Sequence, residues 1–361
     1  MKTSKIKLSV KNKIESNLDR KNINDMILLL NPNSQGGNTG KNWIETYNKV
    51  KDFLPKAHRI IFTKKSNDGI FITRKLLKKG YKNIVTIGGD GTINEVANGF
   101  FDLESENKQT EDYGNFKLDP RLRPINPKGI MYVIPSGSRN VLARSLELKH
   151  LGAESLMRIR HMKRRKIDVI AAVITDKDTP SLTHTRIVMN AAEIGVGAEI
   201  IDRSKKVRGK IKNRLVSTMA SIIATLPSYN SNECDIVIDK NKKFSSKMTM
   251  GIVANGRFLG GGFKAAARAK FSDGLLDIII LTDSGSLKVV DELIELKGTS
   301  TYKFDEHILY YQASEVKFVP KERDATVTVS VDGEPIGMLP AIFKIYHNAL
   351  TIKSEAPSAR I

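Results

Sequence analysis

The sequence predicts two fold classes in series: an α/β N-terminal domain built on a parallel sheet, then an antiparallel β-sandwich C-terminal domain. Three observations predict this. Up to about residue 148, short apolar, β-branched runs alternate with helix-like stretches, the rhythm of βαβ units. Glycine-, asparagine- and serine-rich turns follow the first of these runs, at the strand ends where open α/β sheets bind ligands. Beyond residue 165 the strand-like runs succeed one another mostly without helices, as in a sandwich.

In chain order, residues 1–22 are a basic arm, and residues 23–150 form the first domain. MILLL (26–30) reads as a strand, followed by NPNSQGGNTG and a helix near Trp43 to Phe53. HRIIFT (58–63) is the second strand, and Asn67-Asp68 are candidate N-caps for a helix that ends at Gly80. NIVTI (83–87) is the third, closed by Gly-Gly-Asp-Gly-Thr and a helix from about Ile93 to Phe100. Residues 101–128 are polar and aperiodic, a long insertion loop. GIMYVIP (129–135) is the fourth strand, leading through SGSRN into VLARSLEL. The boundary falls in the basic stretch RIRHMKRRK, and residues 151–345 form the second domain.

That domain contains RKIDVIAAVI, THTRIVMNAAEIGVG, CDIVID, KMTMGIVANG, LLDIIIL, ILYYQASEVKFV and ATVTVSVDGEPI as strands. Two helices interrupt them, about Gly209 to Leu226 and about Leu287 to Leu296. Residues 346–361 are a terminal segment able to return to the first domain.

The chain has 361 residues, with 59 lysines and arginines against 39 acidic residues, a formal charge of +20. Such an excess suits a polyanionic partner: nucleic acid, anionic lipid or a phosphorylated substrate. No aromatic-rich strand or recognition motif accompanies the charge, which argues against nucleic acid. The single cysteine, Cys234, excludes an intrachain disulfide and fits a reducing compartment. It and the six histidines lack metal-ligand spacing. The basic N-terminus has no apolar core of a secretory signal, and no run reaches the roughly 18 to 20 apolar residues of a membrane span. The expected location is cytoplasmic, with peripheral membrane association.

Gly88, Gly89 and Gly91 let backbone N–H groups approach an anion, and the following helix adds its positive end. Asp90 among them would repel phosphate unless a cation or a transferable proton lies between. Both requirements point to phosphoryl transfer. The loop is neither a Walker motif nor a Rossmann fingerprint.

GGDGTINEV, with LLLNPNSQGG before it and IPSGSRNVLAR after it, resembles the diacylglycerol kinase catalytic-domain family. That family includes bacterial lipid kinases and sphingosine kinases, and is distantly similar to NAD kinases and phosphofructokinases. The resemblance continues through NAAEIGVGAEI (190–200), FLGGGFKAAARAKFSDGLLDI (258–278) and VDGEPIGMLPAIF (331–343), nearly the whole chain from Met26 onward.

The resemblance implies ATP and magnesium as cofactors and a lipid hydroxyl as acceptor. It implies that Asn31, Pro32, Thr63, Gly88, Gly89, Asp90, Gly91, Thr92, Ile93, Asn94, Ser138 and Asn140 surround the nucleotide. The family's Gly-Thr-x-Asn reads Gly137-Ser138-Arg139-Asn140 here, so the hydroxyl is kept and an arginine takes a small residue's place. KFSDGLLD resembles a magnesium-associated loop, with the Asp273 carboxylate and the carbonyls of Lys270 and Leu275 as ligands. Asp332 and Glu334 match the acid–base pair beside the accepting hydroxyl; Asp90 competes as base, with metal or phosphate organisation as its other role. Glu95, in the first helical turn, complements the helix dipole.

Arg203 to Leu226 is basic at its start and carries Ile211, Leu215, Met219, Ile222 and Leu226 on one helical face. It fits a helix at an anionic bilayer surface, or one packed on the sandwich. The leading function is phosphorylation of a lipid such as diacylglycerol. A sphingoid-base, isoprenoid or ether-lipid kinase, a soluble NAD kinase-like enzyme and a non-enzymatic polyanion binder are the alternatives. The many strands also permit an edge-paired homodimer.

Overall fold

Strand β1 (Met26–Leu30) is buried at every position, and β2 (His58–Phe62) and β3 (Asn83–Gly88) flank it in parallel. The computed structural model describes residues 24–103, 108–109, 122–207, 229–260, 263–282 and 307–355. Helices α1 (Trp43–Val50), α2 (Asp68–Lys78) and α3 (Asp90–Gly99) follow these three strands in turn. Strand β4 (Ile130–Pro135) pairs in parallel with β3 and leads to the short helices α4 (Val141–Ser145) and α5 (Gly152–Met157). The near-continuous apolar runs of β1, β3 and β4 follow from burial on both faces. Ile84 joins one core cluster with α3 residues Ile93 and Val96, whereas Val85 and Ile87 join another with Trp43 and Leu156.

The second half contributes β5 (Lys163–Thr175), β6 (Leu182–Val188), β7 (Ala191–Gly195), α6 (Val196–Val207), β8 (Asn232–Ile238) and β9 (Lys242–Ala254). Then come β10 (Leu276–Thr282), β11 (Ile308–Ala313), β12 (Glu315–Pro320), β13 (Thr328–Val331) and β14 (Glu334–Ser354). Pairings among these strands are antiparallel.

The strands of the first half pair in parallel and those of the second half antiparallel, as expected, but the two sets join in one sheet. Among the described residues one mostly antiparallel, 15-stranded sheet, counting the two-residue strand Lys108–Gln109 beside β6, runs through both halves, ordered β11-β10-β9-β7-β13-β14-β4-β3-β1-β2 along its main path. The cause is β14, 21 residues long. It starts against β13, runs along β12 and β5, and ends beside β4, pairing Ile352 with Met131 in parallel.

Other expectations shift at their edges. The run THTRIVMNAAEIGVG is not one strand: it breaks at Met189-Asn190 between β6 and β7, and its last residues open α6. Helix α3 begins at Asp90, three residues before the predicted start. The basic arm, most of the 101–128 insertion, the helix predicted over 209–226 and that over 287–296 lie outside the described residues. Among the described residues no helix is long and apolar enough to cross a membrane.

Candidate active site

Register brings the strand ends of the first half into line. Leu30 pairs with Phe62 and Ile87, and Gly88 with Pro135, so the residues that follow emerge along one edge. Backbone hydrogen bonds fasten them there: Asn31 N–H to Ile87 C=O (3.1 Å), Thr63 N–H to Leu30 C=O (2.9 Å) and Ser136 N–H to Gly88 C=O (2.7 Å). A cavity of about 720 Å³ opens at this edge. One side is formed by Asn31, Thr63, Gly89–Thr92 and Gly137–Arg139, the other by Met189–Ala191, Glu193, Leu259-Gly260 and Asp332–Ile336.

The two glycine loops touch backbone to backbone. A β-carbon on Gly137 would stand 2.4 Å from the Gly89 Cα, so no larger residue fits without separating them. Asp90 locks the same junction, its Oδ1 accepting the Leu142 N–H at 3.1 Å. Asn31 donates to the Thr92 hydroxyl at 2.9 Å. The first turn of the ten-residue α3 therefore faces the cavity with its N–H groups, beside Ser138 of the second loop.

The acidic pair arrives from the far half. Asp332 and Gly333 both have positive φ (48° and 82°), as a two-residue hairpin turn between β13 and β14 demands. Both Asp332 oxygens are engaged. Oδ1 accepts the N–H groups of Asn190 (2.8 Å) and Ala191 (3.1 Å). Oδ2 accepts those of Met189 (2.8 Å) and the Asn94 amide (2.6 Å). Burial raises the Asp332 carboxyl to about 6, against the lowering effect of these donors. The Met189-Asn190 break is thus the price of giving Asp332 three consecutive N–H groups. Glu334, by contrast, is exposed and stands with Oε1 3.8 Å from where a β-carbon of Gly91 would be.

The residues expected around the nucleotide divide into two groups. Asn31, Thr63, Gly89, Asp90, Gly91, Thr92, Asn94 and Ser138 line the cavity with Asp332 and Glu334. Pro32, Gly88, Ile93 and Asn140 do not. Pro32 packs against Gly40, Gly88 makes room for the Thr92 side chain, and Ile93 is fully buried in the core. Asn140 folds back on Gly137, accepting its N–H at 2.8 Å and donating to its C=O at 3.0 Å. Lys270, Asp273 and Leu275 also lie outside the cavity lining, and Asp273 Oδ1 accepts the Leu275 N–H at 3.2 Å. That loop is moored by the buried Asp168, which accepts the Gly274 N–H at 2.7 Å.

Glu95 acts on a different helix from the one expected. Its carboxylate accepts the N–H groups of Asn67 (2.9 Å) and Gly69 (3.0 Å), capping α2 rather than complementing its own α3. Asn67 occupies the cap position with no side-chain hydrogen bond. Burial raises the Glu95 carboxyl.

Sequence reasoning missed Glu193. It lies on β7 within the quoted NAAEIGVG, only 8% exposed, with an Oε2 that has no hydrogen-bond partner. A charged residue inside an otherwise apolar strand was the available signal.

Among the described residues no three His, Cys, Asp or Glu side chains form a ready-made metal cage. A magnesium ion carried on nucleotide phosphates needs only one or two carboxylates. Asp90, with one oxygen committed to Leu142, fits that need. The glycine junction and the α3 start fit a polyphosphate.

The chain matches known proteins in both of its halves. The diacylglycerol kinase catalytic domain matches residues 25–172, and the YegS C-terminal NAD kinase beta sandwich-like domain matches residues 190–354. The chain is 25% identical over 281 residues to the diacylglycerol kinase of Bacillus subtilis (strain 168), covering 77% of this chain and 79% of that one. It is 25% identical over 278 residues to the "Probable lipid kinase YegS-like" of Chromohalobacter salexigens, covering 76% of each. The crystal structure of a diacylglycerol kinase from Bacillus anthracis str. Sterne superposes with a TM-score of 0.61 at 18% identity, over 92% of this chain and 97% of that one, a likeness of fold.

Proposed function

We infer that this chain, which belongs to the diacylglycerol kinase catalytic-domain family, is a lipid kinase that moves the terminal phosphoryl group of ATP to the hydroxyl of a membrane lipid. The observation that carries the reading is the approach of Glu334, from the C-terminal half, to Gly91 of the phosphate-type loop in the N-terminal half. A base and an anion cradle sharing one cavity are what phosphoryl transfer to an alcohol requires.

The nucleotide phosphates rest on Gly89–Thr92 and Ser138, with Asn31 and Thr63 alongside. Bound magnesium, held by Asp90 and the phosphates, would supply charge neutralisation. Glu334 accepts the proton of the lipid hydroxyl as its oxygen bonds to the γ-phosphorus, and the bond from that phosphorus to the β–γ bridging oxygen breaks to release ADP. Asp332 holds Asn94 and the 189–191 backbone and so positions this base. We assign residues 23–150 to nucleotide binding and 151–345 to the lipid. Any cation bound by Asp273 with the carbonyls of Lys270 and Leu275 is structural, because that loop does not line the cavity. Exposed Lys163, Arg164 and Lys166 at the start of β5 support attraction to an anionic membrane surface.

The test is incubation with ATP, magnesium and a total lipid extract, beside a parallel reaction with NAD, followed by mass spectrometry. A new phosphomonoester lipid is expected. Phosphorylated NAD with no phospholipid product would reverse the assignment. Chelation by EDTA is expected to lower the melting temperature of the wild type but not of Asp273→Ala.

A further inference from the structure

Glu193 is not used by the chemistry above, yet it lines the same cavity. Its strand, β7, lies between β9 and β13, pairing Glu193 with Ile252 on one side and Ser330 on the other. Neither Glu193 Oε2 nor the hydroxyl of Ser330 has a hydrogen-bond partner, although both are buried. An unpartnered buried carboxyl is strongly disfavoured unless it keeps its proton or meets a ligand. Its surroundings belong to the acceptor side. Ala191, Val196, Ile200 and Leu259 form one apolar cluster around β7, and Leu259 and Ile201 reach the cavity wall.

The charged groups that face Glu193 are few. Arg139 comes from the loop after β4, its Nη1 lying 3.6 Å and 3.9 Å from where β-carbons on Gly260 and Gly333 would be. Asp332 comes from the β13–β14 turn, and Arg186 of β6 and Glu334 line the same cavity. Asp332 has four donors to hold its negative charge; Glu193 Oε2 has none. Of the two neighbouring acids, Glu193 is therefore the one that stays protonated at neutral pH. Burial pushes it up to about 8, with Arg139 opposing and Asp332 reinforcing the rise.

We propose that Glu193, in its acid form, recognises the acceptor by donating a hydrogen bond to an uncharged ester, ether or hydroxyl oxygen near the reacting hydroxyl, selecting neutral lipids over amino-alcohol lipids. The proposal rests on the lipid-kinase reading and deepens it. A lipid ammonium group would instead need Glu193 ionised, and Arg139 already supplies positive charge there. Glu193 is thus a specificity residue, not the base.

The test uses the full chain with ATP, magnesium and detergent micelles containing either dioleoylglycerol or sphingosine. Wild type is expected to favour the glycerolipid, with a lipid kcat/KM that declines as pH rises past about 8. Glu193→Gln keeps an N–H donor and cannot ionise, so its lipid KM is expected within about threefold of wild type and its alkaline decline should vanish. Glu193→Leu should raise the lipid KM at least tenfold and leave the KM for ATP unmoved. Preference for sphingosine, or an alkaline decline that persists in Glu193→Gln, overturns the proposal; so does an unchanged lipid KM in a folded Glu193→Leu. The Glu193→Gln pH profile decides the matter even where Glu193→Leu does not fold. Failure of wild type to phosphorylate either lipid overturns the kinase reading itself, and is seen before any variant is made.

Discussion

Truncating Asp332 and neutralising Glu334 should both lower turnover sharply, but for different physical reasons that stability measurements separate. In Asp332→Ala, four donors lose their acceptor: the N–H groups of Met189, Asn190 and Ala191 and the amide of Asn94. Each buried donor left unpaired costs about 1–3 kcal/mol, so the sum is roughly 4 kcal/mol or more. Alanine at a φ of 48° adds about 1 kcal/mol. Against this stands relief of a buried charge. A carboxyl raised from 3.8 to about 6 returns about 3 kcal/mol at neutral pH when removed. The lost hydrogen bonds win, and a net destabilisation of at least about 2 kcal/mol is expected. Glu334 is exposed, so Glu334→Gln should stay within about 0.5 kcal/mol of wild type and lose on the order of a hundredfold or more in kcat. Urea denaturation and steady-state kinetics on the two variants make the comparison. Wild-type stability in Asp332→Ala with turnover gone would make Asp332 a chemical participant; Glu334→Gln with near-normal kcat would refute the assignment of the base.

Gly137→Ala should force the two glycine loops apart, since its β-carbon would sit 2.4 Å from Gly89 Cα. Calorimetry is expected to show ATP bound at least about tenfold more weakly, because displaced N–H groups no longer converge on phosphate. Glu95→Ala removes the cap from α2 and should cost about 1 kcal/mol, seen in urea melts, with the KM for ATP little changed. For Glu193 the folded-state value, about 8 against an ordinary 4.5, means the native state binds the proton more tightly. Its contribution to stability is therefore present below pH 4.5 and is lost as pH rises towards 8, a change on the order of 5 kcal/mol. Glu193→Gln should match wild type near pH 5 and exceed it near pH 9. Equal pH slopes in the two proteins would show that Glu193 does not carry a raised value.

Local patterns were legible because they depend on near neighbours in the chain. The β-branched run of residues 83–87, the glycines after it and the helix periodicity after those specify a strand, a turn and a helix without outside help. Asp332-Gly333 reads as a tight turn for the same reason. Misplaced features share the opposite property. Met189-Asn190 looks like unbroken strand until Asp332, over a hundred residues away in the chain, claims its N–H groups. Glu95 looks like an ordinary first-turn acid until α2 packs beside it. Asn140 looks like a ligand-facing residue, but a φ of 51° turns its amide back on Gly137.

By itself the sequence determined which chemistry was available: a phosphate-type loop from residue 88, two carboxylates in VDGEP, and a strongly basic surface. Those properties are written in residue types and short spacings, where steric and polar preferences act over a few bonds. Only the tertiary structure decided how the carboxylates divide their work. The sheet that β14 carries through both halves sets Asp332 among four donors, leaves Glu334 facing Gly91, and encloses Glu193 with an oxygen that nothing satisfies. A carboxyl group's role depends on which donors and how much water surround it, and both are set by segments far apart in the chain.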